Sequence, residues 1–270
     1  MADTTRSSAA EQSPEIDTSV AHSARVWNYW LGGKDNFAID RTIGDMVKQT
    51  FPGIVDAARH SRAFLGRAVR FLAGEAGIRQ FLDVGTGLPT ADNTHQIAQR
   101  VAPESCIVYV DNDPMVLAHA RVLLTSTSEG ATTYVEADLR DPAAIVRGAA
   151  ETLDVDRPFA IMLMGIMGHI GDDDEALSIV SALVEAAPSG SYLALSDGTN
   201  TSEAVVESHR QYNESGAVPY HLRSPEQIAR FFDGLELVAP GVVPFTRWRP
   251  DPDAAPPAEV DGYCGVGRKP

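Results

Sequence analysis

Residues 81–90 read Phe81-Leu82-Asp83-Val84-Gly85-Thr86-Gly87-Leu88-Pro89-Thr90: an apolar run, an acid, then two glycines one residue apart. Gly85 and Gly87 lack a side chain where a chain leaving a strand must turn sharply and let a ligand approach its backbone. Alone, such a loop is a weak signal, with a plain tight strand-to-helix turn as the alternative. The flanking sequence decides between the two. From about residue 79, five short β-rich runs alternate with longer helical patterns: Arg79–Val84, Cys106–Asp111, Thr132–Asp138, Phe159–Met164 and Ser191–Asp197. That alternation is the signature of a parallel sheet flanked by helices. Four of the five runs lead directly into Gly or Asn, at the carboxyl ends of strands, where open α/β sheets place their ligands.

The intervening helices carry start signals. Asp113-Pro114 and Asp141-Pro142 each put an acceptor before a proline at the first helical position, a favoured N-terminus. Asp172, Asp173, Asp174 and Glu175 open a helix reaching about Ala187, with negative charge at the favourable end of the dipole. Ser224-Pro225-Glu226-Gln227 reads as a capping box. Two later β-rich runs, Leu235–Phe245 and Gly262–Arg268, are separated by a Pro/Asp/Ala-rich linker over residues 249–259 and predict a terminal hairpin. The first 78 residues show no strand signal. Between Ile54 and Leu72, Val55, Ala58, Leu65, Ala68, Val69 and Leu72 share one helical face, while Arg59, Arg62, Arg67 and Arg70 share the opposite, solvated one.

Charge narrows the ligand. Lys plus Arg number 22 against 37 Asp plus Glu, a formal net charge of −15, which disfavours nucleic acid and anionic lipid as partners. Asp83, Asp111 and Asp138 stand at or near the ends of three successive strands. Asp111 lies where a carboxylate accepts the two hydroxyls of an adenosine ribose, and Asp138 lies beside the expected adenine. A dinucleotide fingerprint would be G-x-G-x-x-G, but its third glycine position here is Thr90. A carboxylate at Asp83 would repel a pyrophosphate yet attract an ammonium and tolerate a sulfonium. S-adenosylmethionine offers both cations, so the acids favour it over NAD.

Asp83-x-Gly85-x-Gly87, Asp111 and Asp138-Leu139 resemble the successive motifs of class I S-adenosylmethionine-dependent methyltransferases. More closely, Ala24–Phe37, Phe81–Thr90, Val110–Pro114 and Leu235–Pro250 resemble an actinobacterial family of S-adenosyl methyltransferases, formerly a domain of unknown function. The resemblance implies an α/β, Rossmann-like class I methyltransferase fold. Its seven-stranded, mostly parallel sheet would run in the order 3-2-1-4-5-7-6, with an antiparallel terminal hairpin and an N-terminal helical extension. It implies S-adenosyl-L-methionine as cofactor, held by Asp83, Gly85, Gly87, Asp111, Asn112, Asp138, Leu139 and Met164. Pro89 departs from the superfamily, standing where many members have a third glycine; it removes a backbone donor from the loop. The acceptor is not supplied by the resemblance.

Methyl transfer needs mainly positioning and exclusion of water, with a base only where the acceptor must lose a proton. His169, after the fourth strand, is the candidate base, a histidine anchoring the loop being the alternative. Trp27, Tyr29 and Trp30, followed by Gly32-Gly33 and Lys34-Asp35-Asn36, form a segment expected to fold over the cofactor as a lid, with Tyr29 and Asn36 near the methionine part. His209, Tyr212, Tyr220 and His221 follow the fifth strand without an assigned role.

The expected organisation is a mobile tail (1–18), a helical lid or extension (19–78) and the cofactor-binding domain (79–270). Residues 1–18 lack the apolar core of a signal peptide. The longest apolar run, Phe159–Ile170, is 12 residues, well short of the roughly 20 that cross a bilayer. Cys106 and Cys264 alone build neither a disulfide framework nor a zinc site, so no metal is expected and a cytoplasmic location fits. The resulting expectation is a cytoplasmic methyltransferase with a small-molecule acceptor. Its rivals are a non-catalytic sensor of the same cofactor and, third, an NAD-dependent oxidoreductase.

Overall fold

The computed structural model of the 270-residue chain describes residues 17–90, 92–123, 125–251 and 259–270. The expected tail up to residue 16, and residues 252–258 of the expected linker, lie outside the described residues.

The strands are β1 (Gln80–Val84), β2 (Cys106–Asp111), β3 (Ala131–Glu136), β4 (Ala160–Met164), β5 (Tyr192–Gly198), β6 (Glu236–Leu237), β7 (Val243–Pro244) and β8 (Gly262–Arg268). They form one sheet in the order β3-β2-β1-β4-β5-β8-β6, with β7 also on β8. β1 to β5 run parallel, and β8 is antiparallel to β5, β6 and β7. The order is the expected one, with a single difference. The run Leu235–Phe245 is two short strands, because Val238–Gly241 forms a turn closed by the Gly241 amide on the Val238 carbonyl at 2.9 Å. Pro240 inside it has no N–H to give a ladder.

Helices cover both faces. They are α1 (Ser23–Trp30), α2 (Ala38–Thr50), α3 (Ile54–Gly74), α4 (Thr94–Val101), α5 (Pro114–Leu123), α6 (Pro142–Ala149), α7 (Asp173–Ala186), α8 (Glu203–Glu214) and α9 (Pro225–Arg230). Leu82, Val84, Ile161, Leu163, Leu193 and Leu195 pack against α6, α7 and α9. Phe81, Ile107, Met162 and Ala194 pack against α3 and α4 on the other face. Burial on both faces explains why these strands read as continuous apolar runs. The period of two places Asp83 on the α3/α4 face with Phe81 and Asp197 on the opposite face with Leu195. The predicted caps form: Asp113, Asp141, Asp172 and Ser224 accept amide bonds from Met115, Ala144, Glu175 and Gln227 at 2.8, 2.9, 2.8 and 3.2 Å.

The N-terminal segment is helical as expected. The boundary expected at residue 78 falls just before β1, and α3 on its N-terminal side lies directly on the sheet through Phe64, Leu65 and Leu72. α1 and α2 instead share a third core with α8, built on Val26, Trp30, Ile43, Val47 and Tyr212. A buried ion pair, Arg25 to Asp40 at 2.9 Å, clamps α1 on α2.

The arginine face of α3 is solvated at Arg59 and Arg70, as expected, but not at Arg62 and Arg67. Arg62 donates to the Asp92 carbonyl at 3.0 Å, Arg59 pairs with Asp56, and Arg70 with Asp251. Arg67 donates to the carbonyls of Trp248 at 2.8 Å and Phe245 at 2.5 Å. Trp248 is wholly buried, edge-on to Phe64 and Phe71, so Arg67 anchors the chain that leads to β8. No helix among the described residues is long and apolar enough to cross a membrane.

Replacing Arg67 by Ala strands two inward carbonyls, each worth about 1–3 kcal/mol when unsatisfied. Chemical denaturation should show a loss of roughly 2–4 kcal/mol; a loss below about 0.5 kcal/mol, the level of an ordinary surface change, would show that the anchor is dispensable.

Candidate cofactor and acceptor site

One cavity of about 540 Å³ runs along the carboxyl ends of β1, β2, β4 and β5, within the size range of small-molecule sites. Gly85 and Gly87 form its floor with φ of +72° and +61°. A Cβ on Gly85 would come within 2.4 Å of Ile166, so both conformation and space require glycine there. The helix expected directly after this loop starts only at Thr94, where Asn93 and Gln96 form a capping box. The loop amides therefore do not continue into a helix N-terminus, the arrangement a dinucleotide pyrophosphate uses.

Asp83 is buried at the end of β1, and its Oδ2 accepts the Thr94 hydroxyl at 2.6 Å. Burial pushes its carboxyl up to about 6, against the pull of Thr94 and Arg62 and with a further push from Asp111. Asp111, at the end of β2, accepts the amides of Gly87 and Asp113, both at 3.0 Å. Burial raises its pKa as well, opposed by those amide bonds. Each oxygen keeps a second lone pair. Asn112, Leu139 and Met164 line the same cavity, and the Ser196 hydroxyl fixes the Met164 sulfur at 3.4 Å.

Asp138 also lines the cavity, but it does not end a strand. β3 stops at Glu136, and the half-exposed Asp138 carboxylate accepts the Arg140 amide at 2.8 Å. It shapes the turn into α6, leaving Leu139 as the buried member of the pair.

His169 sits in a one-turn 3-10 helix after β4, with Nδ1 at 2.9 Å from the Pro219 carbonyl. A carbonyl only accepts, so Nδ1 carries the hydrogen and Nε2 offers a lone pair. Burial is the main cause lowering the His169 pKa, with the charges of His22, His221 and Arg140 adding to it and the Pro219 bond opposing it. The ring is neutral at pH 7.

The lid expectation needs a correction in its residues. α1 does border the cavity, through residues such as His22, Ala24, Trp27 and Leu31. Tyr29 and Asn36 are not brought to it. The Tyr29 hydroxyl points away from the cavity to Asp45 of α2 at 2.7 Å. Asn36 donates to Asn28 Oδ1 at 2.9 Å and to the Gly33 carbonyl at 3.0 Å, closing the turn between α1 and α2. His22, the cap of α1, accepts the Ala24 amide on Nδ1 at 3.3 Å and sits at the rim with that nitrogen 3.1 Å from Asp113 Oδ2.

Several lining residues had no assigned role in the sequence. Tyr134 is one, stacked on Tyr109 and 3.4 Å from the Thr86 hydroxyl. Asp197 is another: it is the penultimate residue of β5, as Asp83 is of β1, with a glycine close behind in each case, a signal available in the sequence. Its Oδ1 accepts the Tyr220 hydroxyl, and burial pushes its carboxyl up to about 6.

An adenosine-sized cleft floored by glycines, rimmed by buried acids and built on this strand order defines an α/β enzyme of the methyltransferase type. The chain belongs to the S-adenosyl methyltransferase family, matching it over residues 9–270. It is similar to a DUF574-family protein of Streptomyces avermitilis, with 46% identity over 95% of this chain and 100% of that one and a TM-score of 0.90. It is also similar to a methyltransferase candidate of Thermobifida fusca, with 43% identity over 94% and 96% of the two chains and a TM-score of 0.85. No curated protein matches the sequence. The protein is thus a methyltransferase whose cofactor is S-adenosylmethionine.

The Asp83 carboxyl, at about 6 against an ordinary 3.8, resists ionisation inside the fold. Between those values the folded chain holds a proton that the unfolded chain has released, so stability falls as pH rises from about 4 through 6. The cost at neutral pH is on the order of 3 kcal/mol. Asp83→Asn should therefore raise the melting temperature of the ligand-free protein at pH 7.5 and lose most of that advantage at pH 4.5. Equal melting temperatures at pH 7.5 would overturn the assignment of a buried, strained charge.

Proposed function

We propose that the protein transfers a methyl group to a small-molecule acceptor, with the cofactor seated along the β1–β2 rim and the acceptor between β4, β5 and α8. The observation that carries this reading is a pair of carboxylates, Asp83 buried and Asp111 half-buried, which face one cavity beside a glycine floor.

Asp83 would hold the cofactor's ammonium, directly or through water, and its desolvated carboxylate would bind that charge more strongly than an exposed one. Gly85 and Gly87 would admit the amino-acid chain. Asp111 would take the ribose hydroxyls through its free lone pairs, with Asn112 beside it. Leu139 and Asp138 would frame the adenine, and Met164 would pack near sulfur. Bound there, the cofactor supplies a methyl carbon activated by positive sulfur. The chain's own contributions are orientation, dryness and His169 Nε2 as a proton acceptor.

The cavity favours a small acceptor: α1 and α8 flank it, and its volume of about 540 Å³ is that of a small-molecule site. The engaged arginines of α3 and the net charge of −15 give no electrostatic footing for nucleic acid. Free Cys106 and Cys264 suit a reducing, cytoplasmic setting. In this reading residues 79–270, together with α3, form the cofactor-binding body, and α1 with α2 form its cover.

Titration calorimetry should give S-adenosylmethionine and S-adenosylhomocysteine clear affinity and NAD none, with Asp111→Asn weakening both by at least about tenfold, the worth of 1.4 kcal/mol. Methyl-labelled cofactor and a fractionated actinobacterial extract should place label in the small-molecule fraction. His169→Gln should reduce that labelling while leaving homocysteine-form affinity unchanged. Label confined to protein or RNA would overturn the acceptor class, and NAD binding the cofactor seat.

A further inference from the structure

The far end of the cavity, under α8, holds polar groups that the cofactor reading does not use. Four buried side-chain polar atoms among the described residues have no hydrogen-bond partner, and two of them, Asp197 Oδ2 and the Tyr212 hydroxyl, belong to residues that line this cavity. Asp197 is 2% exposed and Tyr212 6%. Buried polar atoms are normally paired; Tyr212 packs in the core shared by α1, α2 and α8, in the field of Asp40, so it is the unpaired Asp197 Oδ2 that marks a place where a ligand completes the bonding.

The surroundings fix the ligand's chemistry. Tyr220 is the hub: its hydroxyl donates to Asp197 Oδ1, and its ring lies 5.2 Å from that of His169 and 5.5 Å from that of His209. The Gly198 amide adds a bond to Asp197 Oδ1 at 3.2 Å. His209 repeats the pattern of His169, with Nδ1 2.9 Å from a carbonyl, here that of Val205. Its Nε2 therefore also offers a lone pair. Burial lowers the His209 pKa, opposed by the Val205 bond and the charge of Asp261. Asp261, also on the cavity wall, accepts the Thr201 hydroxyl at 2.7 Å.

Cations near this end make their hydrogen bonds elsewhere, although the charge of Arg223 reaches Asp197 and favours its ionised form. Arg223 spends its guanidinium on Asp173 and on the carbonyls of Met167 and Ile170, at 2.9, 2.8 and 2.6 Å. Arg140, at the mouth, pairs with Glu175 at 3.1 Å and reaches only the backbone carbonyl of His169. His22 and His221 face His169 from α1 and from the segment before α9. What the wall offers a ligand is a free carboxylate oxygen and two imidazole lone pairs, an arrangement that attracts hydrogen-bond donors and repels anions.

We propose that this end of the cavity is the acceptor subsite and that it selects a small amine, with Asp197 Oδ2 binding the amine and His169 Nε2 taking its proton. The proposal rests on the reading that the cofactor lies on the β1–β2 rim. His169 removes one proton from the bound ammonium, which frees the nitrogen lone pair. That pair forms the new bond to the methyl carbon while the carbon–sulfur bond breaks and its electrons return to sulfur. The products are the methylated ammonium and the neutral thioether, and the His169 proton passes to solvent.

The test uses the full chain saturated with S-adenosylhomocysteine and ligand-observed NMR. Three fragment sets of matched size are screened: aliphatic and aromatic amines, neutral alcohols and phenols, and carboxylates. We expect binders to be at least tenfold more frequent among amines than among carboxylates. Amine affinity should fall at least fivefold from pH 7.5 to pH 5 as Asp197 protonates. Asp197→Asn should abolish the amine preference and leave S-adenosylhomocysteine affinity within threefold; should that variant not fold, the wild-type pH series carries the test. An amine set no richer in binders than the carboxylate set, including none in either, overturns the proposal while the cofactor seat stands. Failure of wild type to bind S-adenosylhomocysteine overturns the cofactor reading and the proposal with it.

Discussion

Carboxylates desolvated at the carboxyl ends of parallel strands, with burial outweighing the opposing charges of Arg62 on Asp83 and Arg223 on Asp197, are the constraint around which this protein is organised. Asp83 and Asp197 are each pushed up to about 6 by burial, and Asp111 is raised for the same reason. A folded chain gains nothing from such groups on its own, since desolvating a charge costs more than the partial hydrogen bonding returns. Much of the local architecture keeps them in place and dry. Thr94 holds Asp83, the loop amides hold Asp111, and Tyr220 holds Asp197. The low-dielectric surroundings that make the charges costly also make them strong binders of a cation. Stability is lower at these positions than it need be, as is common where a site is built for a ligand.

Keeping that rim dry falls to the first two helices, and their attachment has a distinct physical basis. Asp40 is fully buried and collects the Arg25 guanidinium at 2.9 Å, the His22 amide at 3.0 Å and the Phe37 amide at 2.8 Å. Arg25 in turn reaches the carbonyls of Asp17 and Val20. A fully bonded pair of this kind is worth little against an apolar substitute, but removing one partner is costly, so it specifies one geometry for the α1–α2 unit. That unit touches the rim through His22 and Asp113. The cover is thus rigid within itself and meets the β2 edge at His22 beside Asp113 and at Ala24, which packs on Leu88, Met115 and Val116.

What the sequence disclosed, and what it concealed, follows the range of the interactions concerned. The parallel sheet was legible because strands buried on both faces write themselves as apolar runs. The helix starts were legible because a cap is made within three residues, as Asp141 and Ser224 show. The strand order came with the family resemblance. Long-range choices were not legible. The solvated reading of the α3 arginines holds for Arg59 and Arg70 but not for Arg67, because nothing local says that Arg67 will meet carbonyls about 180 residues away. Tyr29 and Asn36 looked like lid residues because they are polar and crowded. The packing of α1 on α2 and α3 instead turned Trp27 and His22 to the cavity and Tyr29 to Asp45. Asp138 reads as a strand end in the apolar pattern, but β3 stops two residues earlier, so its carboxylate borders the cavity from the turn into α6 and not from the strand. Asp197 was overlooked although it bears the same strand-end signature as Asp83, because its significance depends on Tyr220, 23 residues on, filling the space beside it.

The two ends of the cavity differ in what they do for the reaction. In the proposed arrangement, Asp83 and Asp111 face groups whose charge and hydrogen bonding are the same before and after methyl transfer. Such contacts are uniform binding: they set affinity and position and do not by themselves lower the barrier. Charge changes only where sulfur loses its positive character and the acceptor nitrogen gains it, next to β4 and β5. There the wall presents neutral histidines and one carboxylate with a spare oxygen. A second fixed cation at that end would oppose the charge arriving on the acceptor, and full solvation would weaken its attraction to Asp197. The committed guanidinium of Arg223 and the packing of Tyr220 under Gly168 and Gly198 are therefore as much a part of the chemistry as His169, although neither contacts a reacting atom.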